Sequence, residues 1–215
     1  MTTQSMTRIV AMLVSLACSR PQAQYARSRD VFASTVRVVA VYADGQVVSG
    51  TGVIVGPRHV LAARHVVHRD GVEYLAIGVV RQADVGVEVV VDAESEGLDV
   101  ARLMVVGVGA PFRDVSSPGP VAAAGEELCM VTNEWLMKCG RVSPDPLPQA
   151  TVVAIRAVPG NSGAPLYDAR GRLSAIAVER RPGEDVDDVT IAVASDALRP
   201  LWPAPEPADL FPEMR

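Results

Sequence analysis

Residues 159–178 read PGNSGAPLYDARGRLSAIAV, with Ser162 between Asn161 and Gly163, Gly160 two residues upstream and Pro165 three downstream. Glycines on both sides of a serine allow a tight turn whose φ values a Cβ would oppose. A serine on such a turn projects its hydroxyl outward. N–H groups of the same turn then converge where an attacked carbonyl develops negative charge. Taken alone, the cluster is equally an ordinary Gly/Asn/Ser turn. Its context decides, because the turn is followed by DARG (168–171) and then by the apolar run RLSAIAVE (172–179), a hairpin turn leading into a strand.

The same rhythm extends along the chain. Upstream lie STVRVVAVY (34–42), VVSGTGVIV (47–55), RHVLAA (58–63), VEYLAIGVVR (72–81), VGVEVVV (85–91) and LDVARLMVV (98–106). After a stretch rich in Gly and Pro, Gly107 to Gly125, come ELCMV (127–131), WLMKCGRVS (135–143), ATVVAIRAV (150–158) and, beyond the quoted segment, VTIAVA (189–194). Short Val-rich segments about ten residues apart, broken by turns such as ADGQ and HRDG, predict an all-β sandwich or barrel. Two sets of strands divided by a linker predict two antiparallel barrels, about 31–106 and 126–198. Ser195 reads as the N-cap of a short C-terminal helix, followed by a Pro-rich tail over 200–215. No internal sequence repeat is visible.

The bulk numbers set limits. In 215 residues, 49% are apolar, 21% are charged and the net charge is −5, which describes one packed globular unit. No basic stripe for nucleic acid is present. Met1–Arg8 is polar with one positive charge, Ile9–Ala17 is apolar apart from Ser15, and small residues follow up to Ala23. That is the pattern of a signal peptide over 1–23, too short for a membrane anchor, and it predicts export to a secreted or periplasmic location. Lipid attachment at Cys18 is the alternative reading. Once Cys18 leaves with the signal, Cys129 and Cys139 remain about the centre of a predicted hairpin and are expected to pair. Two reduced core thiols are the other reading.

Two partners for Ser162 lie upstream. His65 follows an apolar strand, and Asp99 opens LDVARLMVV. A base must take the serine proton, and a carboxylate must fix the tautomer of that base. His59 and His68 flank His65, but no HExxH and no Cys or carboxylate set completes a metal site, so they read as surface histidines.

With these blocks the chain resembles the trypsin-like, chymotrypsin-fold serine peptidases, especially the bacterial branch that includes the HtrA-type proteases. The histidine block is matched by Ser49, Gly50, Gly52, Ile54, Ala63, His65 and Val66, with Ala63 displaced by one. Asp99, Val100, Ala101 and Leu103 match the aspartate block, and Pro159 to Gly163 with Pro165 and Leu166 match the serine block. The resemblance runs from about Thr35 to Leu201. It implies a two-barrel fold and hydrolysis of protein or peptide substrates through an acyl-enzyme, with no cofactor and no metal. It also implies a triad of His65, Asp99 and Ser162, with an oxyanion hole at the N–H groups of Gly160 and Ser162. By the same resemblance, Val178, Glu179 and Arg180 lie on the strand that pairs with substrate backbone. Arg156 falls where the primary specificity pocket is lined. It reads either as a selector of acidic side chains or as an exposed strand residue.

Three positions depart from the family. Arg64 stands where a small residue precedes the histidine, Ala164 replaces a glycine, and Val178 stands where trypsin itself places a serine. The alternative function is therefore a catalytically weak or inactive peptide-binding module on the same fold. In trypsin-like zymogens the residue before the nucleophile is an aspartate that pairs with a freshly cut N-terminus. Asn161 carries no charge to do so. An active site ordered without N-terminal processing is the expectation.

Overall fold

β-branched runs that alternate between a core face and an outer face form strands because such side chains pack well on a half-buried pleated surface. The computed structural model describes residues 28–81, 86–107, 109, 111–145, 147–181 and 189–204. The expected signal peptide with Cys18, and the tail from 205 onward, lie outside the described residues. A short helix α1 (Ser28–Ala33) leads into β1 (Thr35–Tyr42). β2 (Val47–Gly56), β3 (His59–Ala63), the one-turn helix α2 (Arg64–Val67), β4 (Tyr74–Val80), β5 (Val87–Ser95) and β6 (Val100–Val105) complete the first half. The strands pair antiparallel in the order β1-β2-β3-β6-β5-β4, and β4 returns to β1 to close the barrel.

The second half contains β7 (Glu127–Val131), β8 (Met137–Arg141), β9 (Ala150–Val153), β10 (Pro165–Tyr167), β11 (Leu173–Arg181) and β12 (Val189–Ala194). Their order is β8-β7-β10-β11-β12-β9. The two edges meet just past β8: Val142 bridges Val153, the Ser143 N–H donates to the Val152 carbonyl at 2.8 Å, and the Ala154 N–H donates to the Arg141 carbonyl at 3.0 Å. Read as rings, the halves run 1-2-3-6-5-4 and 7-8-9-12-11-10, the same circuit twice. The sequence carries no repeat to match. Backbone pairing can be duplicated while the side chains that fill each barrel diverge.

One apolar cluster fills the first barrel around Val38, Ile54, Ile77 and Leu103, and another fills the second around Met130, Val153, Leu166 and Ala192. A third lies between them, where Val53, Leu61 and Val100 of the first half meet Val131, Tyr167, Ile176 and Val193 of the second. This shared cluster makes one body of the two barrels. The segment from Gly107 to Gly125 is stitched to both. The Phe112 and Ser116 N–H groups donate to the carbonyls of Pro57 and Ile54, while the Gly119 N–H donates to the Leu173 carbonyl at 2.7 Å.

Two details differ from the sequence reading. β10 was hidden, since three residues starting at a proline are too few for a period-two pattern to register. The C-terminal helix takes the form of a 3-10 turn at Arg199–Leu201, and Ser195 does not cap it. The Ser195 hydroxyl donates instead to the Gly119 carbonyl at 2.9 Å. Pro200 sits in the first positions of the turn, where a missing N–H is tolerated, and Pro203 just beyond it opposes a longer helix.

Candidate active site

The candidate site is assembled from three pieces of chain. The first is α2, a single helical turn formed where β3 ends. Its N-terminal N–H groups have no intrahelical partner, and Ala63, at the N-cap, offers no side-chain acceptor. Asp99 supplies what is missing. Its carbonyl accepts from the Arg64 N–H at 2.8 Å, and its Oδ1 accepts from the His65 N–H at 3.0 Å. Oδ2 lies 2.6 Å from His65 Nδ1. A carboxylate only accepts, so Nδ1 carries the imidazole proton and Nε2 keeps its lone pair. Asp99 reaches all three groups from a left-handed backbone, φ 53°, at the end of the 3-10 turn Glu96–Leu98. Aspartate tolerates that conformation better than most residues.

The second loop is the Ser162 turn between β9 and β10. Gly160 (φ 93°) and Gly163 (φ 86°) are both in the left-handed region expected of them. Four carbonyls along this stretch accept hydrogen bonds. Val158 accepts from the Asn161 N–H at 3.0 Å, Gly160 from Thr51 Oγ1 at 2.8 Å, Asn161 from the Ala164 N–H at 2.8 Å and Ser162 from the Thr51 N–H at 2.8 Å. Among the described residues, the Gly160 and Ser162 N–H groups donate to no backbone carbonyl. This is the donor pair named for the oxyanion hole.

Close packing joins the two loops. A Cβ on Gly50 would lie 2.7 Å from Val66 Cγ2 and 2.8 Å from the Ser162 carbonyl oxygen, so α2 and the serine turn press on one point of β2. A Cβ on Gly163 would collide with the Thr51 carbonyl and come within 2.8 Å of the Ala63 nitrogen. Thr51, fully buried, is the residue that sequence reading missed. It is the unspecified position inside the Ser-Gly-x-Gly block, and only the fold brings it against the serine turn.

The third contribution is β11. Its register against β12 slips between Ala177 and Glu179, which leaves Val178 outside the ladder. Pairing of β11 with β10 ends at Ile176, beyond which Gly163 and Ala164 bond Ala177. Ala157, Val158, Pro159, Ala177, Val178, Glu179 and Arg180 line a cleft of about 270 Å³ beside Ser162. Three of the four expected substrate-contacting residues are therefore at the cleft. Arg156 is exposed and does not line it, and its carbonyl faces Lys138 Nζ at 3.5 Å. Val178 packs its side chain between two of the apolar clusters. Arg64, the unusual neighbour of His65, turns toward β5 and lies 3.4 Å from the Glu94 carboxylate. His59 faces Asp92 at 4.0 Å, and His68 lies 3.3 Å from both Asp70 and Glu94, so neither joins His65.

Cys129 and Cys139 are disulfide-bonded across β7 and β8, with Cα atoms 4.0 Å apart at directly opposed positions. No helix among the described residues is long and apolar enough to cross a membrane.

Two antiparallel six-stranded rings of identical circuit, meeting at a cleft, define the chymotrypsin-like two-barrel fold. Solved structures carry the same fold. The Rv3671c protease from M. tuberculosis in its active form superposes with a TM-score of 0.67 at 18% identity, covering 87% of this chain and 88% of that one. Its inactive form gives a TM-score of 0.64 at 18% identity, covering 84% and 93%. The serine endoprotease from Yersinia pestis gives a TM-score of 0.67 at 16% identity, covering 84% of this chain and 65% of that chain. No protein-family model matches the sequence, and no curated protein matches it by sequence.

Proposed function

We propose that the protein is a serine endopeptidase acting through an acyl-enzyme. The observation that best supports this is the double hold of Asp99 on His65, on a one-turn helix that packs with the Ser162 turn against Gly50. In this reading Ser162 Oγ attacks the scissile carbonyl carbon while His65 Nε2 takes the hydroxyl proton, and Asp99 stabilises the imidazolium formed. The tetrahedral oxyanion accepts from the Gly160 and Ser162 N–H groups. Collapse breaks the C–N bond, with His65 returning the proton to the leaving amine. A water molecule, deprotonated by the same nitrogen, then releases the acid product and frees Ser162. Substrate backbone adds as a strand along Val178–Arg180, which line the cleft beside Ser162 beyond the β10 pairing that ends at Ile176.

Hydrolysis of a casein-like protein by the purified chain tests the reading. Asp99→Asn should lower turnover by about four orders of magnitude and Ser162→Ala by about six, with folding intact. Wild-type turnover in Ser162→Ala would contradict it.

Export is part of the same reading. The apolar run Ile9–Ala17 and the Cys129–Cys139 bridge both suit an oxidising compartment outside the cytosol. N-terminal sequencing of protein recovered from outside the cytoplasm should find a new terminus near Ala23. An intact Met1 there would contradict export through a cleaved signal.

A further inference from the structure

Asn161 is fully buried immediately before Ser162, and its side-chain amide must be satisfied inside the protein. Its Oδ1 accepts from the Val158 N–H at 3.1 Å. A backbone N–H only donates, so that contact fixes which end of the amide is oxygen, and Nδ2 faces the other way. There it donates to Asn133 Oδ1 at 3.0 Å. The other end of the Asn133 amide, Nδ2, lies against the Cα of Gly160, where any side chain would collide with it. Asn133 thus touches both residues that lead into the nucleophile. It comes from the tip of the β7–β8 hairpin, a part of the chain that supplies nothing else to the cleft.

That tip is held from three sides. Thr132 Oγ1 accepts from the Glu134 and Leu136 N–H groups at 3.3 Å each, which fixes the turn from within. Arg37, on β1 of the opposite barrel, reaches the Asn133 carbonyl with Nη2 at 3.4 Å, and its guanidinium lies 5.6 Å from the Trp135 ring centroid. At the middle of the β7–β8 ladder, the Cys129–Cys139 bridge ties the two strands.

We infer that Asn133 is a positioning residue for catalysis: through its Asn133–Asn161 amide pair it holds the Gly160–Ser162 turn with its N–H groups toward the cleft. The inference rests on the peptidase reading of Ser162. It also names what orders this turn without a charged partner, since the pair is neutral and internal to the chain.

Steady-state kinetics on one peptide substrate, for wild type, Asn133→Ala, Asn161→Ala and the double variant, tests the role. Asn133→Ala should lower kcat about 10- to 100-fold, the scale of a misplaced catalytic group, while KM stays within about threefold. Asn161→Ala should lower kcat at least as much. The double variant should be no worse than Asn161→Ala, because one residue acts through the other. Unchanged kcat in Asn133→Ala, or losses that multiply in the double variant, would overturn the proposal. So would loss of the cooperative melt in Asn133→Ala, which would make Asn133 a support of the fold and not of the turn. A wild-type chain that hydrolyses nothing and takes no fluorophosphonate at Ser162 would mark failure of the peptidase reading itself.

Discussion

The backbone N–H of Thr51 donates to the carbonyl of Ser162 at 2.8 Å, across the boundary between the two barrels. The same residue donates from Oγ1 to the Gly160 carbonyl, so β2 grips the serine turn at two points on either side of Asn161. Either bond alone would let the turn pivot. Together they hold the Gly160–Asn161 and Ser162–Gly163 peptide groups, whose carbonyls accept these bonds.

Thr51→Val keeps the shape and the backbone bond but removes the hydroxyl from a fully buried site. The Gly160 carbonyl then loses its donor, which should cost about 1–3 kcal/mol in stability. Turnover should fall about tenfold or more, with little change in KM. Urea unfolding and steady-state kinetics check both. Thr51→Ser, which keeps the donor, should lie much closer to wild type. Equal midpoints and equal kcat for Thr51→Val and wild type would mean the side-chain bond carries nothing.

The bridge between Cys129 and Cys139 closes a short loop, with the two cysteines 10 apart in sequence. In the chain-entropy view, replacing both by Ala should lower unfolding free energy by about 2–3 kcal/mol. Denaturant unfolding of oxidised, reduced and Ala/Ala protein measures this. The reduced and Ala/Ala proteins should behave alike. A midpoint unaffected by reduction would contradict the expectation.

Much of this was readable in the sequence. The Val-rich segments gave eleven of the twelve strands among the described residues, because core-facing alternation survives in a chain of Val and Ala. His65, Asp99 and Ser162 were singled out by three blocks of family resemblance, and of these the structure brings His65 and Asp99 into direct contact. Thr51 and Asn133 were not singled out. Each lies far along the chain from Ser162, and its role depends on which barrel face meets which loop, which local pattern does not encode. Arg156 illustrates the converse. Its spacing from Ser162 left two readings open, a pocket residue or an exposed one, because spacing does not say which way a side chain faces. Arg156 is exposed and is not among the residues lining the cleft.

Tyr167 joins a buried trio of hydroxyls that links the two barrels and the segment between them. Its Oη lies 2.9 Å from Ser34 Oγ and 3.1 Å from Ser116 Oγ. Burial pushes the phenol pKa up, only partly offset by the hydrogen bonds from Ser116, Ser34 and Thr35. The native state therefore holds this proton more tightly than the unfolded chain does. The resulting stability is fully present below the unfolded tyrosine pKa of about 10 and is lost as pH rises through the higher native value. Tyr167→Phe should cost about 1–2 kcal/mol at neutral pH. It should also lose stability less steeply than wild type above about pH 10. Parallel pH–stability curves for the two proteins in the alkaline range would contradict the assignment.

The most direct test of the central claim is covalent labelling of the folded protein with a fluorophosphonate, followed by peptide mass spectrometry. Such a probe phosphonylates a serine only where a base removes its proton and N–H donors receive the developing charge. Wild type should take one label, on Ser162. Ser162→Ala should take none, and His65→Ala should react slower by orders of magnitude. A folded wild-type chain that stays unlabelled, or a label carried on another serine, would contradict the account.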